Sequence, residues 1–202
     1  MSTDIGALAM AQMKGAQALP AEAGEVLLPL ARGAIAAQLN LPAVPAADAE
    51  WLRAQGASFV TLMLEDKLRG CIGTLEAHRT LGDDVRANAV AAAIRDPRFQ
   101  PLTAAEFAGA RVEVSVLSPV TLVQWRDEAD ALAQLRPGID GVIFEYGHHR
   151  STFLPQVWEE FADVKLFMGH LKYKGGLPPD FWDSAVKLSR YTVSKWREND
   201  TG

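Results

Sequence analysis

The 202-residue chain has one cysteine, Cys71. That excludes an intramolecular disulfide and a cysteine-rich zinc site, and it fits a reducing compartment. Positive charge is also scarce. Twenty Lys and Arg stand against 25 Asp and Glu, a formal charge of -5. This balance gives no general attraction to phosphate backbones and argues against nucleic acid as a partner. No apolar run is long enough to span a bilayer, and Asp4 stands where a secretory signal would carry basic residues, so a cytoplasmic, non-membrane protein is expected. Also missing are a GxxxxGK[ST] loop, GxGxxG, GxSxG, HExxH and an iron–sulfur cysteine spacing. The adjacent His148 and His149 would point to opposite sides of a strand, and His78 and His170 are isolated. No metal and no cofactor is therefore expected.

What is present suits a globular unit of one domain or two intimate subdomains: 49% of the residues are hydrophobic and 22% charged. Residues 1 to 20 are Ala- and Met-rich and read equally as a frayed helix, a docked arm or a disordered extension. From Glu22 to Leu39, Val26, Leu30, Ala34 and Ile35 recur at helical spacing, with Asn40 and Pro42 as a stop. The Pro- and Ala-rich LPAVPAADAE reads as a connector. SFVTLML, the polar turn at Glu65, Asp66 and Lys67, and LRGCIGT together read as a hairpin.

Thr80 with Asp83 opens a helix that runs to Arg95, and Thr103 with Glu106 is a second capping signature. RVEVSVL alternates, with Val112, Val114 and Val116 on one face and Arg111, Glu113 and Ser115 on the other. GVIFEYG and STFL flank a turn containing His148 to Arg150. Pro155 suits the first residue of a helix to Phe161, and a helix from Asp163 to Tyr173 ends at Gly175 and Gly176. The tail LSRYTVSKWRE alternates weakly and reads as one final strand. Strands grouped in hairpins and interrupted by helices predict an α+β fold, with a mostly antiparallel sheet and flanking helices.

The most unusual string is Leu68-Arg69-Gly70-Cys71-Ile72-Gly73-Thr74. Glycines inside a strand cost packing and entropy, so Gly70 and Gly73 suggest a bulge or the close approach of a backbone or ligand. In an extended segment Arg69 would share a face with Cys71, and its guanidinium would favour the thiolate. Against this, a free cysteine is often a small buried hydrophobe. Glu113 reads either as a general base or as a solvated acid. Arg98, with Asp96, brackets Pro97 in a loop anchored by Phe99.

LRGCIGT resembles the signature of the AMMECR domain family, whose bacterial and archaeal members are often called AmmeMemoRadiSam system protein A. The resemblance continues through DPRFQPLT, VEVSVLSP, FLPQVWEE, GGLPPDFW and KLSRYTVSKW. It marks residues 22 to 197 as the domain, 1 to 21 as an N-terminal extension and 198 to 202 as a tail. It implies a two-subdomain α+β fold with a cleft, with the N-terminal helix and C-terminal strand in the larger subdomain. The positions it carries over are Leu68 to Thr74 and Arg98.

Two functions follow as expectations. One is a cysteine-dependent enzyme acting on a small or modified substrate in the cleft, with Cys71 and Arg69 catalytic, alongside Memo-type and radical SAM proteins. The other is a binding module recognising a peptide, nucleotide or partner protein. Gly70, Ile72, Gly73, Thr74, Arg98 and Glu113 are the binding candidates.

Overall fold

The computed structural model describes residues 19 to 43 and 45 to 198. The alternatives for the first twenty residues and the expected tail fall almost wholly outside that range. The described chain forms five α-helices, α1 Gly24–Gln38, α2 Leu81–Ile94, α3 Ala104–Gly109, α4 Glu128–Ala133 and α5 Val164–Lys174, with shorter 3-10 turns. Its ten strands are β1 Gln55–Gly56, β2 Ser58–Leu64, β3 Lys67–Gly73, β4 Arg79–Thr80, β5 Arg111–Leu117, β6 Thr121–Leu122, β7 Gly141–Tyr146, β8 His149–Phe153, β9 Lys187–Tyr191 and β10 Val193–Arg197. Every pairing whose register is described is antiparallel, so the fold is α+β. The chain divides into two compact units. One runs to Leu117 and resumes at Ser194, and the other is Ser118–Val193.

In the first unit the sheet order is β10-β5-β2-β3. One face follows from the alternation of SFVTLML and RVEVSVL. Val60, Leu62, Val112, Val114 and Val116 are buried against Leu27, Leu30 and Ile35 of α1 and Val85, Ala89 and Ala92 of α2. Side chains of opposite parity, Thr61, Cys71 and Glu113, occupy the face away from these helices. The hairpin turn places both Glu65 and Asp66 at positive φ, 51° and 59°, which matches the right-handed strand twist. Helix α2 starts where Thr80 Oγ1 accepts the Asp83 N–H. At α3, Thr103 and Glu106 form the full capping box.

In the second unit the sheet order is β6-β9-β7-β8. Its core joins Val142, Phe144 and Leu188 to Phe167 and Leu171 of α5 and to Trp158, which stacks on Phe167 at 3.7 Å. Asp163 caps α5, and Gly176 (φ 81°) supplies the left-handed residue beyond its end.

The tail departs from expectation. It is two strands, not one. Strand β9 pairs with β6 and β7 in the second unit, while β10 joins the first unit's sheet beside β5. The break at Thr192 is set by tertiary contacts: its N–H donates to Ser118 Oγ and its carbonyl accepts the Ser118 N–H. The N-terminal helix and the C-terminal strand thus share a unit.

Candidate functional site

Among the described residues strand β3 ends the sheet, and one of its edges has no neighbouring strand. Cys71 faces Thr61 across the β2–β3 pair. Its own N–H and carbonyl point outward and are taken by the loop after α2: the N–H donates to Asp96 Oδ2 at 2.8 Å and the carbonyl accepts Arg98 Nη2 at 3.3 Å. The Asp-Pro-Arg segment thereby occupies the place a further strand would take, and protects the edge. The Asp96 side chain is 2% exposed, and its Oδ2 also accepts Arg98 Nη2 at 2.7 Å. The Arg98 side chain, with the Cys71 and Arg98 amides, holds the Asp96 carboxyl well below the usual carboxylate range against the opposing effect of burial. Asp96 in turn raises the Arg98 guanidinium, with a smaller contribution from Cys71.

The thiol itself is half-buried. Thr61 Oγ1 donates to Cys71 Sγ at 3.2 Å. One strand further along the row, Glu113 lies opposite Thr61 and pairs with Lys195 of β10 at 3.0 Å and Arg197 at 3.5 Å. The open face thus carries a row of thiol, hydroxyl, carboxylate and two cations.

Arg69 has another role than the expected one. The pairing shifts between Leu62–Gly70 and Met63–Leu68, so Arg69 is the extra residue of a β-bulge and leaves the regular alternation that would set it beside the thiol. Its guanidinium forms a fork with Glu106, Nε to Oε1 at 3.0 Å and Nη2 to Oε2 at 3.1 Å. Nη2 also reaches the Gln100 carbonyl at 3.0 Å, and Nη1 is buried without a partner among the described residues. Arg69 and the Thr103 cap hold Glu106 down at about 2. Arg69 therefore ties β3 to α3.

The glycines also have occupants. A side chain at Gly70 would stand 2.2 Å from the Ala92 carbonyl of α2, and one at Gly73 would stand 2.2 Å from the Phe59 ring. Both are close approaches within the fold. Ile72 packs on the first unit's core. Thr74 Oγ1 reaches both oxygens of buried Asp84, which also binds Ser58, Arg79 and Asn88. Of the expected residues, then, Cys71, Arg98 and Glu113 belong to the open row or its clamp, while Gly70, Ile72, Gly73 and Thr74 shape the strand. The sequence reading left out Thr61, Glu106 and Asp84. Only Glu106 carried a local signal, its capping spacing.

No group of three or more candidate metal ligands occurs among the described residues, and no described helix is long and apolar enough to cross a membrane. A separate cavity of about 770 Å³ in the first unit lies between α1, α3 and β10. Its lining includes Arg197 but neither Cys71, Thr61, Glu113 nor the Asp96–Arg98 clamp.

A two-unit α+β chain with this cysteine-bearing edge strand defines the class. The AMMECR1 family model matches residues 28–196, and the chain belongs to that family. It is 36% identical over 187 residues to a protein of Methanothermobacter thermautotrophicus, covering 90% of this chain and 97% of that one. To a protein of Methanocaldococcus jannaschii it is 40% identical over 136 residues, 66% and 68% of the two chains. The crystal structure of an uncharacterized protein from Pyrococcus horikoshii superposes with a TM-score of 0.74 at 33% identity, covering 90% of this chain and 94% of that one.

Proposed function

We propose that the protein works through Cys71 on a small or modified substrate laid on the open face of the first unit's sheet. One observation carries this reading: the half-buried thiol receives the Thr61 hydroxyl at 3.2 Å while both backbone groups of the same residue are clamped by Asp96 and Arg98. A clamped strand fixes the sulfur's position, and a hydroxyl donor aimed at it offers a place for charge on a nucleophile or soft ligand. Cys71 is then the reacting or ligating atom, and Thr61 its donor. Glu113, ion-paired with Lys195 and Arg197, is a polar anchor further along the row. By family resemblance, the partners proposed for it are a Memo-type protein and a radical SAM protein.

A second reading, a non-catalytic binding module, draws on the diversion of Arg69 to Glu106 and on the filled spaces at Gly70 and Gly73. There the thiol only fills space beneath a bound peptide, nucleotide or partner protein. Alkylation of the native chain near neutral pH separates the two. Rapid modification that slows in Thr61→Val supports the first, and a thiol as slow in the native chain as a buried one supports the second.

A further inference from the structure

The row that starts at Cys71 ends in charge. Lys195 Nζ and Arg197 Nε both meet the Glu113 carboxylate, at 3.0 and 3.5 Å, so one acid serves two cations. The Glu113 side chain is 16% exposed, whereas those of Lys195 and Arg197 are 41% and 72% exposed. The carboxylate is the sheltered member, and the cations face solvent. Other charges near the row cancel in pairs: Asp96 is held by Arg98, Glu106 by Arg69 and Asp66 by Arg111. Among the described residues the row therefore keeps one unbalanced positive charge, on a chain whose formal charge is -5. An anion is the ligand that balances it.

The spacing sets the length of that ligand. Cys71 pairs with Thr61 and Thr61 with Glu113, so the three stand in one line across β3, β2 and β5. Adjacent strands are about 4.8 Å apart, which puts the strand of Glu113 roughly 10 Å from that of the thiol. Phe59 and Met63, two positions either side of Thr61 on the same face, are half-buried and flank the middle of the line. The line thus has a thiol at one end, cations at the other and apolar flanks between.

We propose that the substrate of Cys71 carries an anionic group, carboxylate or phosphate, about 10 Å from the atom that meets the sulfur, and that Lys195 and Arg197 receive it. The proposal rests on the reading of Cys71 as the working thiol. Glu113 holds the two cations in place.

The test uses the full chain and three maleimides that differ only in the end group of a tether about 10 Å long, which is a carboxylate, a phosphonate or a neutral amide. Cys71 is the only thiol, so each rate reports on it alone. The sulfur adds to the maleimide double bond and the neighbouring carbon takes a proton, so nothing leaves. With each rate divided by that of the unfolded chain, an anionic probe should react about threefold faster than the amide at low salt, a preference that fades as salt screens the cations. The faster of the two anions names the group. Lys195→Gln with Arg197→Gln should bring the ratio to one, and Glu113→Gln should raise it by freeing both cations. The salt dependence of the native chain keeps the test independent of whether either variant folds. A thiol that reacts equally fast with all three probes would overturn this proposal and leave the Cys71 reading intact. A thiol too protected to react with any of them would defeat that reading, and this proposal with it.

Discussion

At the level of single residues, Gly70 and Gly73 show how one sequence signal has two physical readings. Two glycines beside a cysteine announce a close approach, but not what approaches. Here it is the Ala92 carbonyl and the Phe59 ring. Gly70→Ala should therefore destabilise the fold by about 2 kcal/mol or more, because a helix backbone has to move. The melting temperature should fall by several degrees. An unchanged melting temperature would show that α2 yields freely.

Glu106 gives a pH-dependent prediction. Its folded value, about 2, lies below the ordinary 4.5, so the stability it contributes is present above the ordinary value and is lost as pH falls towards 2. Glu106→Gln should cost roughly 1 kcal/mol at pH 7, a modest figure because a third of the side chain is exposed and solvent screens the pair. The gap between variant and native chain should close between about pH 4.5 and 2, as read by melting curves across pH. A gap that persists at pH 2 would assign the loss to packing.

At the level of elements, what was legible was what is local. The Thr80 cap, the Thr103–Glu106 box and the alternation of RVEVSVL are written in neighbouring residues and stand where expected. The clamp on Cys71 was not legible, because Asp96 lies 25 positions away and meets the strand only once α2 has returned to the sheet edge. The same holds for Arg69 and Glu106, 37 apart: the glycines suggested a bulge in this strand, but not that it would turn Arg69 towards Glu106. The switch at Thr192 has no Gly or Pro to signal it. The β2–β3 turn offers a direct test of element-level reasoning: both central positions have positive φ but carry Glu65 and Asp66. Replacing them with Asn-Gly should stabilise the chain by about 0.5 to 1 kcal/mol, less a little for the lost ion pair of Asp66 with Arg111. A chemical denaturation midpoint that falls instead would mean that the ion pair outweighs the backbone strain.

At the level of the whole molecule, the family and α+β class were legible because several motifs recur in order along the chain, and the family model spans residues 28–196. The overall charge of -5 predicts only weak binding to duplex DNA or generic RNA at physiological salt. Submicromolar binding with a steep salt slope would reveal a concentrated basic face.

The central claim is that a fixed, reachable thiol at Cys71 is the working group. The most direct measurement is the alkylation rate of Cys71 in the folded full chain near neutral pH, compared with Thr61→Val and with the unfolded protein. The account predicts that the folded chain reacts at least as fast as the unfolded one and that Thr61→Val slows it. A thiol protected in the folded chain, or a rate indifferent to the loss of the Thr61 hydroxyl, would contradict it.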